Sequence, residues 1–411
     1  MKDLTNRLAI LVGVGALGAT ISPTIFAADE GGATIDAGPL KVQPTLDTEL
    51  GYIDNLFRSP DDEENSLRLT LTPALRAFID NGASRYEAFV EVREQIYYSS
   101  SNDDATDVEF GVDVHHAFSN THALDLFGGI DQTHEERGSG LSQGGSGLVI
   151  GESGIDAPIK YDETQIGARY TLGNNQTLGR LELEMSNIET EYKNFRDVTA
   201  FYDYDEREGK AALYYNLSGK SALLLEGRWE DTDYARDRLS VASKDSEENT
   251  GLVGITWQAT AKTTGYVKIG FFDRKFDDSA RDDADGFRWD VSVTWAPRTY
   301  STLTFSTAQE SEESNGFDIG DYIERERYGL AWLHQLGNRT QLSVSFDLSN
   351  DEYANGAGRE DDRTIFQASL ERQVSRWAKA VLGYRFEEID SDNELMDYER
   401  NEVFLGLQMT L

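Results

Sequence analysis

The sequence contains no cysteine, and only 7 of its 411 residues are proline. Without thiol ligands, a disulfide-stapled scaffold and a zinc-cysteine protein are excluded. Basic residues are also scarce, because 38 Lys and Arg face 74 Asp and Glu, which gives a formal net charge of -36. Since nucleic acid is itself densely negative, no nucleic-acid partner is expected for so acidic a chain.

Long apolar runs are confined to the N-terminus. Lys2 and Arg7 precede a charge-free stretch from Leu8 to Ile21, and the small residue Ala27 is followed by acidic residues. This pattern predicts a secretory signal peptide over residues 1–27, cut after Ala27. No later segment has the roughly 18 uncharged apolar residues that a membrane-spanning helix requires. A helical membrane protein is therefore not expected.

Aromatic residues, in contrast, are plentiful and spread along the chain. They make up 11% of the sequence, while hydrophobic residues of all kinds make up only 39%. A disordered chain of this charge would be poor in aromatic residues, so disorder does not fit. The hydrophobic content is also low for a conventional core in a chain of this length. The aromatic residues must therefore be buried somewhere other than in a conventional globular core.

The dominant hydrophobic period after Val42 is two residues, which indicates β-strands of about ten to fourteen residues. In the last segment one face carries Val403, Leu405, Leu407, Met409 and Leu411, and the other carries Glu402, Phe404, Gly406, Gln408 and Thr410. Each strand is therefore expected to have one apolar face and one largely polar face.

The connections between these segments alternate between short turns and long acidic loops. Short Asn-, Gly- and Ser-rich turns are predicted at 80–84, 119–122, 173–177, 218–221, 259–263, 297–300, 336–340 and 375–377. Acidic loops such as 61–64, 277–286 and 350–362 separate them, and we interpret these loops as a solvated outer rim. Counting the segments predicts about eighteen strands, with both ends of the barrel domain on the short-turn side.

Such a meander can bury its apolar face in a β-sandwich or against lipid. A sandwich would need crossovers and would not alternate short and long connections so regularly. In a bilayer every backbone group needs a partner, so the sheet must close. The predicted fold class is therefore all-β, a transmembrane antiparallel up-and-down β-barrel over residues 42–411, preceded by a short periplasmic segment over residues 28–41.

Aromatic residues near the segment ends support this fold. Trp257, Trp295, Trp332 and Trp377 lie near predicted short turns. A second set near the loops predicts the outer aromatic girdle: Tyr52, Tyr98, Tyr192, Trp229, Phe271, Tyr322, Tyr353 and Tyr398.

The face opposite the apolar one is expected to line a water-filled lumen about 36 Å across at the backbone and about 15 Å wide between side chains. Isolated charges in a dry core would cost several kcal/mol each. The predicted pore-lining residues are Arg68, Arg93, Arg169, Arg228, Arg274, Arg288, Arg327, Arg385, Glu91, Asp113, Glu226, Asp290, Tyr97 and Tyr214. The charges could instead pair into ladders that narrow the passage. The inward aromatic residues, which include Phe127, Phe272 and Phe404, suit either sugar rings or simple filling of volume.

The sequence offers no convincing catalytic or metal site. Gly140-Leu141-Ser142-Gln143-Gly144 matches a nucleophile elbow, but it lies in a Gly/Ser-rich loop without the required strand and helix. The stretch Asp282 to Gly286 departs from the spacing of a calcium-binding loop. No enzyme activity, catalytic residue, metal or cofactor is therefore expected.

The first predicted hairpin carries a resemblance to a known family. Pro44-Thr45-Leu46, then Gly51-Tyr52-Ile53-Asp54-Asn55-Leu56-Phe57-Arg58, then Leu71-Thr72-Pro73 resemble the opening of the putative β-barrel porin type 2 family. These outer-membrane barrels are frequently associated with exopolysaccharide export. The resemblance implies a polysaccharide cargo for a capsule or biofilm, a periplasmic polysaccharide export partner and an inner-membrane polymerisation apparatus.

The expected function is accordingly an outer-membrane pore in a Gram-negative cell that exports an exopolysaccharide. Its inward arginines would bind the polymer weakly and at many points. Further expected partners are outer-membrane lipid, lipopolysaccharide and, from the alternating C-terminal strand, the barrel assembly machinery. The alternatives are a general diffusion porin for small solutes, for which residues 137–160 are the candidate constriction loop, and a structural or adhesive barrel without transport.

Overall fold

The computed structural model describes residues 34–61, 63–143, 155–236, 242–260, 262–314, 320–355 and 358–410. The predicted signal peptide lies outside the described residues. The strands are β1 Ile35–Ala37, β2 Leu40–Ile53, β3 Ser66–Asp80, β4 Arg85–Tyr97, β5 Ala105–Ser119, β6 His122–Glu135, β7 Ile159–Leu172, β8 Gly179–Tyr192, β9 Tyr204–Ser218, β10 Ser221–Tyr234, β11 Ser246–Thr260, β12 Thr263–Phe276, β13 Ala284–Arg298, β14 Ser301–Glu313, β15 Tyr322–Gly337, β16 Thr340–Ala354, β17 Glu360–Ser375, β18 Ala378–Ser391 and β19 Tyr398–Thr410.

These strands form one closed antiparallel sheet. From β2 to β19 each strand pairs with the next along the chain, and β19 pairs back with β2 from Glu402↔Ile53 to Thr410↔Thr45. Short β1 pairs with residues 40–42, the part of β2 that the β19 ladder does not reach. The barrel therefore has eighteen strands and one additional short strand. This confirms the predicted fold class and strand number.

The period of two places apolar and charged side chains on opposite faces. Leu405 in β19 is 62% exposed, whereas Glu402, on the opposite face of the same strand, is only 6% exposed. The same inversion holds in β10, where Leu225 is exposed and Glu226 is buried. An exposed apolar face and a buried charged face suit a barrel with lipid outside and polar groups inside.

The two ends of the barrel differ as expected. Asn81 accepts hydrogen bonds from Ser84 and Ala83 in the first tight turn, which stabilises the two-strand connection. Thr410 lies on the same end, because its amide donates to the carbonyl of Trp377 beside another short turn. We call this end the turn side and the opposite end the loop side. Among the described residues, no helix is long and apolar enough to cross a membrane.

The loop side is more tightly packed than predicted. Tyr52, Tyr98 and Phe271 are exposed, as expected for a girdle, but four of the other residues assigned to it are buried: Tyr192, Tyr322, Tyr353 and Tyr398. Their assignment to the girdle is wrong, because the strand ends and loops at this side fold over the inner face and cover them.

Part of the acidic rim is buried as well. Asp351 and Asp361 lie inside β16 and β17, and both are buried. Asp351 accepts two hydrogen bonds of 2.5 Å from Arg325, and Asp361 pairs with Arg359. The expectation of a solvated rim is wrong for these two residues, since each carboxylate is fixed by a guanidinium group.

Candidate pore and its loop-side entrance

The eight predicted pore-lining arginines all form ion pairs with carboxylates. The pairs are Arg68–Glu49 at 3.1 Å, Arg93–Glu91 at 3.0 Å, Arg169–Glu184 at 2.7 Å, Arg228–Glu226 at 2.6 Å, Arg274–Glu313, Arg288–Glu248 at 3.1 Å, Arg327–Glu310, and Arg385–Glu387 at 3.5 Å. Five of these pairs join different strands, whereas Arg93–Glu91, Arg228–Glu226 and Arg385–Glu387 each lie within one strand. The arrangement corresponds to the alternative in which the inward charges pair with one another. That a solute passes these residues stays a prediction.

One of these pairs belongs to a closed square of two cations and two anions. Arg228 and Lys268 both approach Glu226, at 2.6 and 3.3 Å, and both approach Asp290, at 3.3 and 2.6 Å. The four residues belong to β10, β12 and β13. Because each charge has two opposite neighbours, this part of the wall is electrically balanced and fixed.

A second part of the inner face is acidic. The strand register places Glu91, Glu109, Asp131 and Glu163 side by side on β4, β5, β6 and β7. Among the described residues, only Glu91 of these four has an ion-pair partner, which is Arg93. Like charges directly opposite each other destabilise a sheet. The row therefore leaves three carboxylates to water or to a passing cation.

The remaining predicted anion, Asp113, lies opposite Glu87 in the register of β4 and β5. No ion pair of Asp113 is found in the described part of the chain, although Glu87 itself pairs with Arg85 at 2.7 Å. Asp113 thus adds to the acidic side.

The inward aromatic residues lie against the wall. The Tyr97 hydroxyl donates to Glu136 at 3.0 Å, and the guanidinium of Arg180 lies 3.9 Å from the ring centre of Tyr214. The Phe127 ring covers Gly167, where an added Cβ would be 2.3 Å from the ring. Glycine opposite an aromatic ring is a common packing device in sheets. These contacts favour the volume-filling alternative over rings that project toward a sugar.

The loop that follows β6 turns into the barrel. Glu136 comes directly after β6, yet its carboxylate accepts a hydrogen bond of 2.8 Å from Arg400 on β19. Four strands, β2 to β5, separate β6 from β19 around the wall. The same carboxylate lies 3.8 Å from Arg68. The backbone at Glu136 must therefore cross the inner side of the barrel near its loop-side end.

The first long connection also contributes to this cluster. Arg58 lies 2.7 Å from Glu136 and 3.8 Å from Glu387 on β18. Asn55 anchors the same connection, because its side-chain amide donates to the carbonyl of Glu399 at 3.1 Å. We call Arg58, Arg68, Glu136 and Arg400 the entrance cluster. It joins two loops to the inner wall.

Residues 136–143 pack closely behind this cluster. Gly138 has a φ of +82°, and a Cβ there would lie 1.9 Å from the carbonyl oxygen of Phe57. Arg137 pairs with Asp103 in the second long connection, and its guanidinium lies 4.0 Å from the ring centre of Phe57. The first three long connections are thus bound to one another. Of the candidate constriction loop 137–160, residues 144–154 lie outside the described residues.

The other side of this segment is anchored through Glu135. The Leu141 amide and the Tyr192 hydroxyl donate to its two carboxylate oxygens at 2.8 and 2.9 Å. Leu141 also packs in a buried cluster with Ile159 and Tyr202. Gly140–Ser142 form a short 3₁₀-helix. These residues belong to the sequence that matches a nucleophile elbow, and in the described part of the chain the strand and helix of a true elbow do not flank them.

Electrostatics keep the entrance cluster charged. Burial alone would raise the pKa of Glu136, but Arg400, Arg58 and Arg68 outweigh it and hold this pKa well below its ordinary value of 4.5. The pKa of Arg58 is raised, because the attraction of Glu136 and Glu387 exceeds the cost of burial. Glu136 and the guanidinium groups around it are therefore all charged at neutral pH.

Sequence reasoning found Arg68 but missed Glu136, Arg58 and Arg400. The available signal was weak: Arg58 stands beside an acidic loop and Glu136 beside a Gly/Ser-rich one, and no pattern relates Glu136 to Arg400, 264 residues away. The glycines at 138 and 140 were the local sign of a tightly folded loop, since both have positive φ.

Comparison with known proteins agrees with this architecture. The family profile described as Putative beta-barrel porin 2 matches residues 31–411. The chain belongs to this family. The resemblance of the opening hairpin is thereby confirmed, and the protein is an outer-membrane β-barrel of the porin type. No curated protein matches the sequence.

Several solved barrels are similar in structure at low sequence identity. The OccK2 (OpdF) structure from Pseudomonas aeruginosa is 11% identical, with a TM-score of 0.49 over 90% of this chain and 98% of that chain. OccAB3 from Acinetobacter baumannii is 10% identical, with a TM-score of 0.47 over 90% and 99%. The siderophore receptor PirA from Acinetobacter baumannii is 6% identical, with a TM-score of 0.48 over 90% and 80%.

Proposed function

We propose that this protein is a passive diffusion porin with a fixed constriction at its loop side, selective for small cationic and neutral solutes. The observation that carries the proposal is the entrance cluster, in which Glu136 binds the inner wall far from its own strand. An inward loop held by ion pairs narrows a barrel to the size of small solutes. An eighteen-strand barrel is wide enough, at about 15 Å between side chains, to contain such a loop.

Whether the pore prefers cations or anions depends on which charged side chains of the lumen lack an ion-pair partner. Each predicted pore-lining arginine is paired with a carboxylate on the wall. In contrast, Glu109, Asp131 and Glu163 have no ion pair among the described residues and stand in one row. Rings and rows of carboxylates in a pore attract cations and repel anions. A cation-selective lumen is therefore expected.

Reversal potentials in planar lipid bilayers test this proposal. Under a KCl gradient the wild-type barrel should favour K⁺ over Cl⁻, and the double change Glu109→Gln with Asp131→Asn should reduce that preference. The matched control is Glu247→Gln, because Glu247 is exposed and its β11 neighbours Ser246 and Glu248 are buried. This control should keep the wild-type ratio. An anion-selective pore would contradict the proposal, and a barrel without conductance would point to the structural or adhesive alternative.

Export of an exopolysaccharide is the second candidate, and the family resemblance supports it. The acidic row adds a restriction on the cargo, since an anionic polymer would be repelled where it passes the carboxylates of β4 to β7. A neutral or cationic single chain, delivered by a periplasmic export protein, is the cargo that suits this lumen. Weak contacts at many points would let such a chain slide.

Deletion of the gene tests the export candidate. Loss of surface polysaccharide together with retention of polymer in the periplasm is the expected result. Complementation with the selectivity variant at Glu109 and Asp131 should restore export of a neutral polymer. Unchanged surface polysaccharide in the deletion strain would reject export and leave the diffusion porin standing.

A further inference from the structure

Three glutamates converge on the inner face near the loop side, away from the entrance cluster. Glu206 and Glu208 lie on β9, and Glu230 lies on β10 directly opposite Glu208. One carboxylate oxygen from each residue lies within 4.8 Å of the other two. In the part of the chain that the structure describes, this is the one group of three acidic or histidine side chains that converges so closely.

Local positive charge does not balance this group. Among the described residues, none of the three glutamates has a Lys or Arg within ion-pair distance, and Glu208 accepts one hydrogen bond, from Ser186 at 2.6 Å. The guanidinium of Arg274 is already bound to Glu313 and lies 3.8 Å from Glu248. Glu248 stands directly opposite Glu230 and is itself paired with Arg288 at 3.1 Å, so it brings no positive charge to the group.

Two buried oxygen atoms in the same place lack a hydrogen-bond donor. Glu206 is 1% exposed and its Oε1 atom has no partner among the described residues. Thr232 is also 1% exposed, its Oγ1 atom is likewise without a partner, and it lies directly opposite Glu206 on β10. A buried carboxylate without a donor costs several kcal/mol. Within the described part of the chain, the Thr232 hydroxyl on β10 and the Glu206 Oε1 atom on β9 therefore both lack a hydrogen-bond partner.

We propose that Glu206, Glu208 and Glu230 bind a calcium ion inside the barrel, with the Thr232 hydroxyl as a fourth ligand. Calcium takes six to eight oxygen ligands at about 2.4 Å, so two ligands on opposite sides of one ion are about 4.8 Å apart. The three carboxylates lie within that distance of one another, so a single ion can contact all three. Magnesium demands a near-ideal octahedron and usually keeps several of its waters, so a set of protein carboxylates suits calcium better. Water from the lumen completes the coordination.

The site ties two adjacent strands together at the end of the barrel where the loops fold in. Bound calcium removes the repulsion between Glu208 and Glu230 and supplies the missing partner of Glu206. The proposal concerns the barrel wall and does not depend on which solute the pore passes. Calcium is therefore expected to raise the unfolding temperature of the barrel.

The test uses the mature barrel refolded from inclusion bodies into detergent, which contains no lipopolysaccharide that could itself hold calcium. After EDTA treatment and removal of the chelator, calcium chloride is titrated by calorimetry, and thermal unfolding is followed by circular dichroism. The wild-type barrel should bind one calcium per chain and unfold at a higher temperature with calcium. The double change Glu206→Gln with Glu230→Gln should weaken binding by at least about 100-fold, because calcium affinity follows the number of charged ligands.

The matched control is the double change Glu109→Gln with Glu163→Gln, which removes two carboxylates from an equally acidic row that does not converge. It should keep both the stoichiometric calcium and the thermal shift. Because a double change can impair refolding, Glu208→Gln alone serves as the milder variant and should weaken binding without loss of the barrel. Equal loss of calcium in the control would show general attraction to a negative lumen and overturn the proposal. Absence of calcium binding by the wild-type barrel would overturn it as well.

Discussion

Removal of the charge on Glu136 is the most direct test of the inward loop. In the Glu136→Gln variant, Arg58 and Arg400 would lose their shared anion while remaining close to each other and to Arg68. The amide keeps the shape of the side chain, so the variant changes charge and little else. We expect the loop segment 136–143 to leave the wall more often, because three guanidinium groups then repel one another.

The size of the effect can be bounded. Breaking a buried ion pair by removing one partner costs about 3 to 5 kcal/mol. Glu136 is partly accessible to water, with a side chain 24% exposed, so the lower end of this range applies. About 3 kcal/mol corresponds to a roughly 100-fold increase in the population of the open loop, at about 1.4 kcal/mol for each factor of ten.

Hydrogen–deuterium exchange measures that population. The amide of Leu141 is the best reporter, because it is buried and donates to Glu135 at 2.8 Å in the closed loop. Its protection should fall about 100-fold in the variant, and the bilayer conductance should rise or become noisier. The matched control is Glu184→Gln, which removes the partner of Arg169 in a wall pair between β7 and β8.

If the Leu141 amide exchanged at the wild-type rate in the Glu136→Gln variant, the ion pairs of Glu136 would not hold the loop against the wall. Equal deprotection in the Glu184→Gln control would also contradict this role of Glu136, since the effect would then come from general loosening of the barrel. A fall confined to the first variant is the expected result.

Three further predictions follow from the same structure. Because the pKa of Glu136 lies below its ordinary value of 4.5, its ion pairs stabilise the closed loop fully above that pH and are lost only as the pH falls through the lowered pKa; the ratio of Leu141 protection between the wild type and the Glu136→Gln variant, which both keep the acceptor Glu135, should therefore be constant from about pH 7 to about pH 4.5. The Gly138→Ala variant should open the same loop, since its Cβ would meet the carbonyl of Phe57 at 1.9 Å, and an unchanged exchange rate would contradict the described packing. The Leu405→Arg variant should destabilise the barrel by about 2 to 4 kcal/mol, measured by urea titration in lipid vesicles, because Leu405 faces lipid near the middle of β19; a change under about 1 kcal/mol would contradict that orientation.

Much of the barrel could be predicted from local patterns. The alternation of Val403 and Leu405 with Glu402 and Phe404 states which face of β19 meets lipid, and a strand of thirteen residues carries enough repeats to make this clear. Turn-forming residues likewise predicted the short connections. At Asn81 to Ser84, for example, the Asn81 side chain accepts a hydrogen bond from the Ser84 amide three residues later. Both signals act over a few residues, so one sequence suffices to read them.

The pairing of charges depended on distant strands. Arg68 was expected to face the lumen, but its partners Glu402 and Glu136 lie 334 and 68 positions away along the chain. A period of two says that a side chain points inward, and it does not say which inward side chain stands beside it. The arginines expected to be free for a cargo are therefore paired in the folded barrel.

By itself, the sequence determined that this chain forms an up-and-down barrel with lipid outside and charge inside, because the period of side chains and the alternation of turns and loops are local properties of the chain. Only the tertiary structure decided that loops fold into the mouth, that Tyr192 and Tyr398 are buried there, and that Glu206, Glu208 and Glu230 meet. Closure of the sheet brings together side chains far apart in sequence, such as Arg68 and Glu402, while the exact register of the β9–β10 hairpin places Glu208 opposite Glu230; a period of two gives the face of a side chain and not its partner.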